Sequence, residues 1–400
     1  MRNIPFSPPD ITEKEISAVC DTLRSGWITT GPKTKQFEKE ITAYCNSAKT
    51  ACLASATAAL ECTLRILGIG KGDEVIVPAY TYTATASVVH HVGAKIVMCD
   101  IDKNSFFMDY TQLEALITEK TKAIIPVDIA GVMCDYDKIF EIVNRKSNLF
   151  TSNNDLQKSF NRIIVIADGA HSFGAERNGK KSGNVADFTA FSFHAVKNLT
   201  TAEGGAATWT KKDFISDEWL YKQYMLQSLH GQNKDALAKT KLGAWEYDIF
   251  APLYKCNMTD IQATIGLVQL ARYNDMLEKR KEFIETYNAI LSDSRFKPIV
   301  HYTNNASSSG HLYLLCIQNI TKEQRNEIIE KMAEKGIATN VHYKPLPLLT
   351  AYKNLGFDIN NYPNAYNRFT KEITLPLNTK MSKDDVVYTA NTLKEILKDY

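Results

Sequence analysis

A run of short segments, each apolar nearly end to end, most constrains what this chain can fold into. Glu74–Pro78, Lys95–Cys99, Lys122–Asp128 and Ile163–Ala167 follow one another along the first half. Helical patterns lie between them, at Thr83–His91, Leu113–Ile117 and Asp137–Val143. A strand apolar on both faces must be covered on both faces. Alternation with helices therefore predicts a mostly parallel sheet sandwiched between helical layers, an α/β fold. Two further strands are expected at Asp187–Phe193 and Ala206–Trp209.

Upstream, Thr12 and Glu15 form a capping-box pattern before Ile16, Val19 and Leu23, and Gly26 should end that helix. Ser55–Leu67 predicts a second helix, with Ala59, Leu60, Leu64 and Leu67 on one face. The polar stretch 144–161 breaks the rhythm and reads as a surface insertion without chemistry. Beyond Pro252 the pattern changes. One long helix is expected over Asp260–Ile290, then a strand at His311–Ile317, a helix at Lys322–Lys335, a strand at Ile337–Val341 and a helix at Lys383–Leu397 capped by Ser382. This predicts a large domain over 1–250 and a smaller C-terminal α/β domain over 251–400, the boundary falling near 245–255.

Charge and cysteine usage exclude several function classes. The net charge is +2 with dispersed Lys and Arg, which argues against nucleic acid or a membrane surface as partner. The eight cysteines form no Cys-x-x-Cys pair and sit by no histidine cluster, so they read as reduced core thiols, not as a disulfide frame or zinc site. No apolar run reaches the roughly 18 residues of a membrane span. The first ten residues lack an apolar signal core. A cytoplasmic enzyme with soluble substrates is expected.

Gly68, Gly70 and Gly72 follow a helix and precede a strand, the reverse of a dinucleotide fingerprint, so they read as a helix cap and turn. A nicotinamide enzyme would need Gly-x-Gly-x-x-Gly after a first strand. Lys197 is different. It lies between two strand-like runs, beside the pair Gly204-Gly205, where backbone can approach closely. An amine so placed suits a Schiff-base nucleophile. Asp168 ends the strand Ile163–Ala167, and ligands on such sheets bind beyond the carboxyl ends of strands. His171 follows one turn later. Ser55-Ala56-Thr57 opens a helix, either as an ordinary N-cap or as a phosphate cradle of backbone N–H groups. Tyr82, just after a strand, is either a core aromatic or a ring that stacks on a flat ligand. Together these residues suggest a pyridoxal 5'-phosphate (PLP) site, with the acid opposite the pyridinium nitrogen. His90, His91, His301 and His311 read as structural or surface residues.

The motifs Ser25–Pro32, Ser55–Leu60, Val77–Ala86, Ala167–Ala175, Phe191–Gly205, Asn257–Ala263 and Val341–Leu346, in this order and spacing, resemble the DegT/DnrJ/EryC1/StrS family of nucleotide-sugar aminotransferases. The resemblance implies the fold-type I PLP scaffold and assigns roles. Lys197 would carry the cofactor and shuttle a proton. Asp168 would bind the ring nitrogen, His171 would sit near the phenolic oxygen, and Tyr82 would stack on the ring. Ala56, Thr57 and Ser192 would hold the phosphate. Family members are homodimers in which a partner segment reaches that phosphate. Lys255 and Asn257 stand in that segment, with lysine where many members carry asparagine. His194 and His230 resemble substrate-side residues, and His342, Lys344 and His230 could supply donors to a diphosphate. The implied reaction moves an amino group, from L-glutamate, onto a nucleotide-linked 4-keto-6-deoxy sugar for glycan synthesis. The alternatives are a PLP-dependent sugar dehydratase, in whose members histidine replaces the lysine kept here, and a non-catalytic PLP-binding relative.

Overall fold

The computed structural model describes residues 2–233 and 246–400. A seven-stranded sheet runs in the order Lys49–Leu53, Gly205–Trp209, Phe188–Ser192, Ile164–Asp168, Thr121–Ile124, Glu74–Pro78 and Lys95–Cys99. Gly205–Trp209 is antiparallel to both of its neighbours, and the other pairings are parallel. The all-apolar strands are buried on both faces, as their composition requires. Val75, Val77, Ile164 and Ile166 face a core shared with the helix Ala56–Ile66. Ile76, Ile124, Val165 and Ala167 face the opposite core, shared with the helix Tyr136–Arg145.

A second, three-stranded antiparallel sheet is formed by Phe296–Pro298, Tyr313–Ile317 and Glu372–Leu375. The helices Tyr273–Ile290, Lys322–Glu334 and Lys383–Ile396 share its core.

Several expectations need correction. The strand over Lys122–Asp128 stops at Ile124. Pro126 has no N–H to pair, and beyond it only a single bridge from Val127 to Asp168 remains, with the Asp128 N–H donating to the Asp168 carbonyl at 3.1 Å before a short 3₁₀ turn. The segment Ile337–Val341 is not a strand. It makes single bridges, Ile337 with Ile4 and Asn340 with Thr374, and the sheet position is filled by Glu372–Leu375. Its apolar Ile337 is explained by burial in the second core. The helix over Asp260–Ile290 is two, Asp260–Ala271 and Tyr273–Ile290. They break at Arg272, whose guanidinium is held by Glu15 at 2.9 Å and Asp10 at 3.4 Å. Residues 144–161 are more than a surface insertion. Asn154 caps a helix, Asp155–Phe160, and the buried Gln157 donates to the carbonyl of Leu67 at 2.9 Å. The helix Pro32–Cys45 escaped the apolar pattern because Thr34 and Glu38 occupy its buried face beside Phe37 and Ile41.

Candidate active site

A cleft of about 430 Å³ opens at the carboxyl ends of the parallel strands. Three local designs bring chemistry to it. The first is the start of the helix Ala56–Ile66. Ser55 caps it by accepting from the N–H of Ala58 at 3.0 Å, and Ser55, Ala56 and Thr57 line the cleft. Gly205 passes directly behind. A Cβ added there would lie 2.3 Å from the carbonyl carbon of Ser55 and 2.4 Å from the nitrogen of Ala56. Only glycine lets the antiparallel strand and the helix start meet this closely.

The second design is the end of the strand Ile164–Asp168. Asp168 is 5% exposed, accepts from the Thr85 hydroxyl at 2.7 Å and accepts from the N–H of Ala170 at 3.2 Å. Burial raises its pKa, while Thr85, the Ala170 N–H and the charge of Lys197 pull it back. His171 accepts at Nδ1 from the N–H of Ala130, 3.2 Å away. Its ring proton therefore sits on Nε2, which donates to the hydroxyl oxygen of Tyr343 at 3.1 Å. Burial keeps His171 neutral by lowering its pKa well below the usual value, aided by the positive Lys197.

The third is the loop after Phe188–Ser192. Phe193 donates its N–H to Gly204 at 2.8 Å and accepts from the N–H of Thr201 at 2.8 Å, closing the loop that carries Lys197. Burial lowers the Lys197 amine to about 8, with Asp168 pulling the other way. At that value about a tenth of the amine is unprotonated at pH 7, far more than for an ordinary lysine, so it can act as nucleophile or base.

The cleft thus joins nine of the residues expected from sequence: Ala56, Thr57, Tyr82, Asp168, His171 and Ser192, with His194, Lys197 and His342. Tyr82 is 61% exposed, and its ring centre lies 6.0 Å from that of Tyr343. His194 approaches Glu203 at 3.6 Å. Four expected residues lie outside. His230 and Lys344 are exposed. Lys255 is also exposed and donates to Asn257, which donates to Thr30. Sequence reasoning missed Tyr343 and Thr85. Tyr343 stands inside the Val341–Leu346 motif, whereas Thr85 is one of several threonines in its segment.

The donor set fits a phosphorylated pyridine aldehyde. A capped helix start lines the cleft, backed by a strand that only glycine lets pass so close. A buried acid and a depressed amine share its interior. A family model, described as the DegT/DnrJ/EryC1/StrS aminotransferase family, matches residues 9–394. The chain belongs to the DegT/DnrJ/EryC1/StrS aminotransferase family. As a member, it is a PLP-dependent aminotransferase on the fold-type I scaffold.

Its relatives match end to end. Spr1654 of Streptococcus pneumoniae, solved as a sugar aminotransferase in its PMP-form, is 58% identical with a TM-score of 0.97, covering 99% of this chain and 100% of that one. The spore coat polysaccharide biosynthesis protein SpsC of Bacillus subtilis is 36% identical, over 99% of this chain and 97% of that protein. The UDP-4-amino-4-deoxy-L-arabinose–oxoglutarate aminotransferase of Shewanella sediminis is 33% identical, over 98% of each.

Proposed function

We propose that this aminotransferase moves an amino group from L-glutamate onto a nucleotide-linked keto sugar, a 4-keto-6-deoxy sugar, and so makes an amino sugar for glycan or surface polysaccharide. The observation that carries the residue roles is the placement of Lys197 and Asp168 in one cleft, the amine depressed and the acid buried. Bound PLP supplies an electron sink for charge developed at the substrate carbon. Lys197 would hold the cofactor through its amine and, with that amine free, would take and return the proton at that carbon. Its low pKa suits it to both tasks. Asp168 holds the ring nitrogen in its protonated form. His171 and Tyr343 orient the ring oxygen. Ala56, Thr57 and Ser192 hold the phosphate, and Tyr82 covers the ring face.

The names of the Bacillus and Shewanella relatives, with a spore coat polysaccharide and an amino-arabinose nucleotide, support a sugar acceptor. His194 and His342, which line the cleft, are assigned to the sugar. His230 and Lys344 are assigned to the nucleotide.

The site is composite in a homodimer. Lys255 and Asn257 are not among the residues that line their own cleft, which supports a contribution to a partner's phosphate. The test of function runs the reaction backwards. Candidate 4-amino and 3-amino sugar nucleotides are supplied with 2-oxoglutarate, and glutamate is measured. Turnover with a 4-amino sugar nucleotide is expected. Efficient turnover of ordinary keto acids with none of any sugar nucleotide would refute the substrate class and leave the PLP chemistry standing.

A further inference from the structure

The C-terminal wall of the cleft contains a buried acid that the reaction above does not use. Glu372 opens the strand Glu372–Leu375 and is wholly buried, as is Thr374. Glu372 Oε2 accepts from the backbone N–H of His342 at 2.9 Å. Its Oε1 lies 2.6 Å from the Thr374 hydroxyl, which lies 2.9 Å from Nδ1 of His342. The ring of His342 is stacked on Phe6, with centres 5.5 Å apart, and lines the cleft. Its Nε2 has no hydrogen-bond partner among the described residues. Carboxyl, hydroxyl and imidazole therefore form one chain that ends at the cleft.

A hydroxyl has one proton to give, so only two arrangements satisfy this chain. With Glu372 ionised, Thr374 donates to the carboxylate and must accept from Nδ1–H, leaving Nε2 bare. With Glu372 protonated, the carboxyl donates to Thr374, Thr374 donates to Nδ1, and the ring proton sits on Nε2. We propose that Glu372, acting through Thr374, sets which nitrogen of His342 carries its proton, and so whether Nε2 meets the substrate as donor or acceptor. Passing from the protonated to the ionised arrangement, the carboxyl proton moves to the Thr374 oxygen and the Thr374 proton moves to Nδ1. The Nε2 proton leaves to the cleft. One proton is released, the ring stays neutral and the new charge rests on Glu372.

The surroundings decide which arrangement holds. Burial pushes the Glu372 carboxyl up to about 8, against the pull of Thr374, the His342 N–H and Arg325. Arg325, from the helix Lys322–Glu334, donates to the backbone carbonyl of Glu372 at 2.8 Å. The other titratable neighbours are Tyr80, Cys316 and Tyr343, all held neutral by burial, which raises each pKa. Arg368 and Lys371 act on Cys316 from the helix Pro363–Lys371. Burial and the positive Lys197 push His342 down to about 4, so its ring does not become a cation near neutrality. His342 is therefore a donor at neutral pH, suited to a keto oxygen of the acceptor, and becomes an acceptor as Glu372 ionises. Glu372 and Thr374 are positioning residues. This role rests on the proposed place of His342 beside the sugar, but the tautomer itself can be read without any sugar.

The test is the ¹⁵N spectrum of imidazole-labelled holoenzyme, with the His342 signal identified by its loss in His342→Gln. At about pH 6.5 the spectrum should show a bare Nδ1, and at about pH 9.5, beyond the Glu372 titration, a protonated Nδ1. Glu372→Gln should abolish the reversal, Thr374→Val should uncouple it, and Thr374→Ser should preserve it. With the sugar acceptor, wild-type KM should rise about fivefold across the same interval, the worth of one neutral hydrogen bond. The glutamate half-reaction should not follow it. One tautomer throughout in the wild type, or a reversal that persists in both Glu372→Gln and Thr374→Val, would overturn the proposal. Failure to find a sugar substrate would leave the spectrum unchanged, so the tautomer is decided on its own.

Discussion

The two walls of the cleft are built differently. On one wall, Asp168 ends a central strand, Ala56 starts a capped helix, and Lys197 sits in a loop tied between two paired strands. The backbone of each group is set by the regular element beside it, and Asp168 is held in addition by the hydroxyl of Thr85. On the other wall, His342 and Tyr343 lie in irregular chain, and their partners Glu372, Thr374 and His171 come from distant positions. Rigid elements place the groups proposed for the chemistry. Long-range hydrogen bonds place His342, proposed for the substrate, and Tyr343, proposed for the ring oxygen. Substitutions on the first wall should therefore strike rate, and those at His342, Thr374 and Glu372 on the second should strike substrate KM and pH dependence.

The largest break in that comparison is Lys197→Ala. It should abolish turnover and leave the thermal transition near that of the wild type, measured side by side by steady-state assay and calorimetry. Recovery of substantial activity would move the chemistry off this wall. Next comes Asp168→Asn, which removes a charge but little volume. A rate loss of roughly 10²–10³-fold in kcat is expected, the usual scale for a lost electrostatic contact. A change confined to KM would place Asp168 with the substrate wall instead.

Gly205→Ala tests the packing behind the first wall. Its Cβ must displace backbone at Ser55 and Ala56, so stability should fall by about 1–3 kcal/mol and the cofactor should be held more weakly. Denaturant melts with and without added PLP read both effects. Retained PLP affinity would show that the helix start is not the phosphate cradle.

An effect seen only as a slope against pH belongs to Glu372. An unfolded chain loses this proton near the ordinary value of 4.5, whereas the folded protein keeps it to about 8. Between those values unfolding releases a proton, so this residue makes stability fall as pH rises. Glu372→Gln should flatten that part of the pH–stability curve. An unchanged slope would mean that the carboxyl is already ionised in the folded protein.

The contrast between the walls also explains what sequence could show. The strands Glu74–Pro78 and Lys95–Cys99 and the cap at Ser55 were legible because burial on both faces and capping leave local patterns. Asp168 and Lys197 followed, since their places are fixed by where those elements end. Glu372 left no local sign. It opens a strand of only four residues, and its partner His342 is thirty residues away. The helix Pro32–Cys45 was hidden for a related reason. Its buried Glu38 accepts from the N–H of Cys52 at 3.0 Å and from the hydroxyl of Tyr221 at 2.8 Å, partners that no periodicity reveals.

The central claim is that Lys197, at the end of the first wall, carries the cofactor. Borohydride reduction of the yellow holoenzyme, followed by digestion and mass mapping of the pyridoxyl label, tests it most directly. The label should fall on the peptide containing Lys197 and vanish in Lys197→Ala. A label on any other lysine, with Lys197 unmodified, would contradict the account.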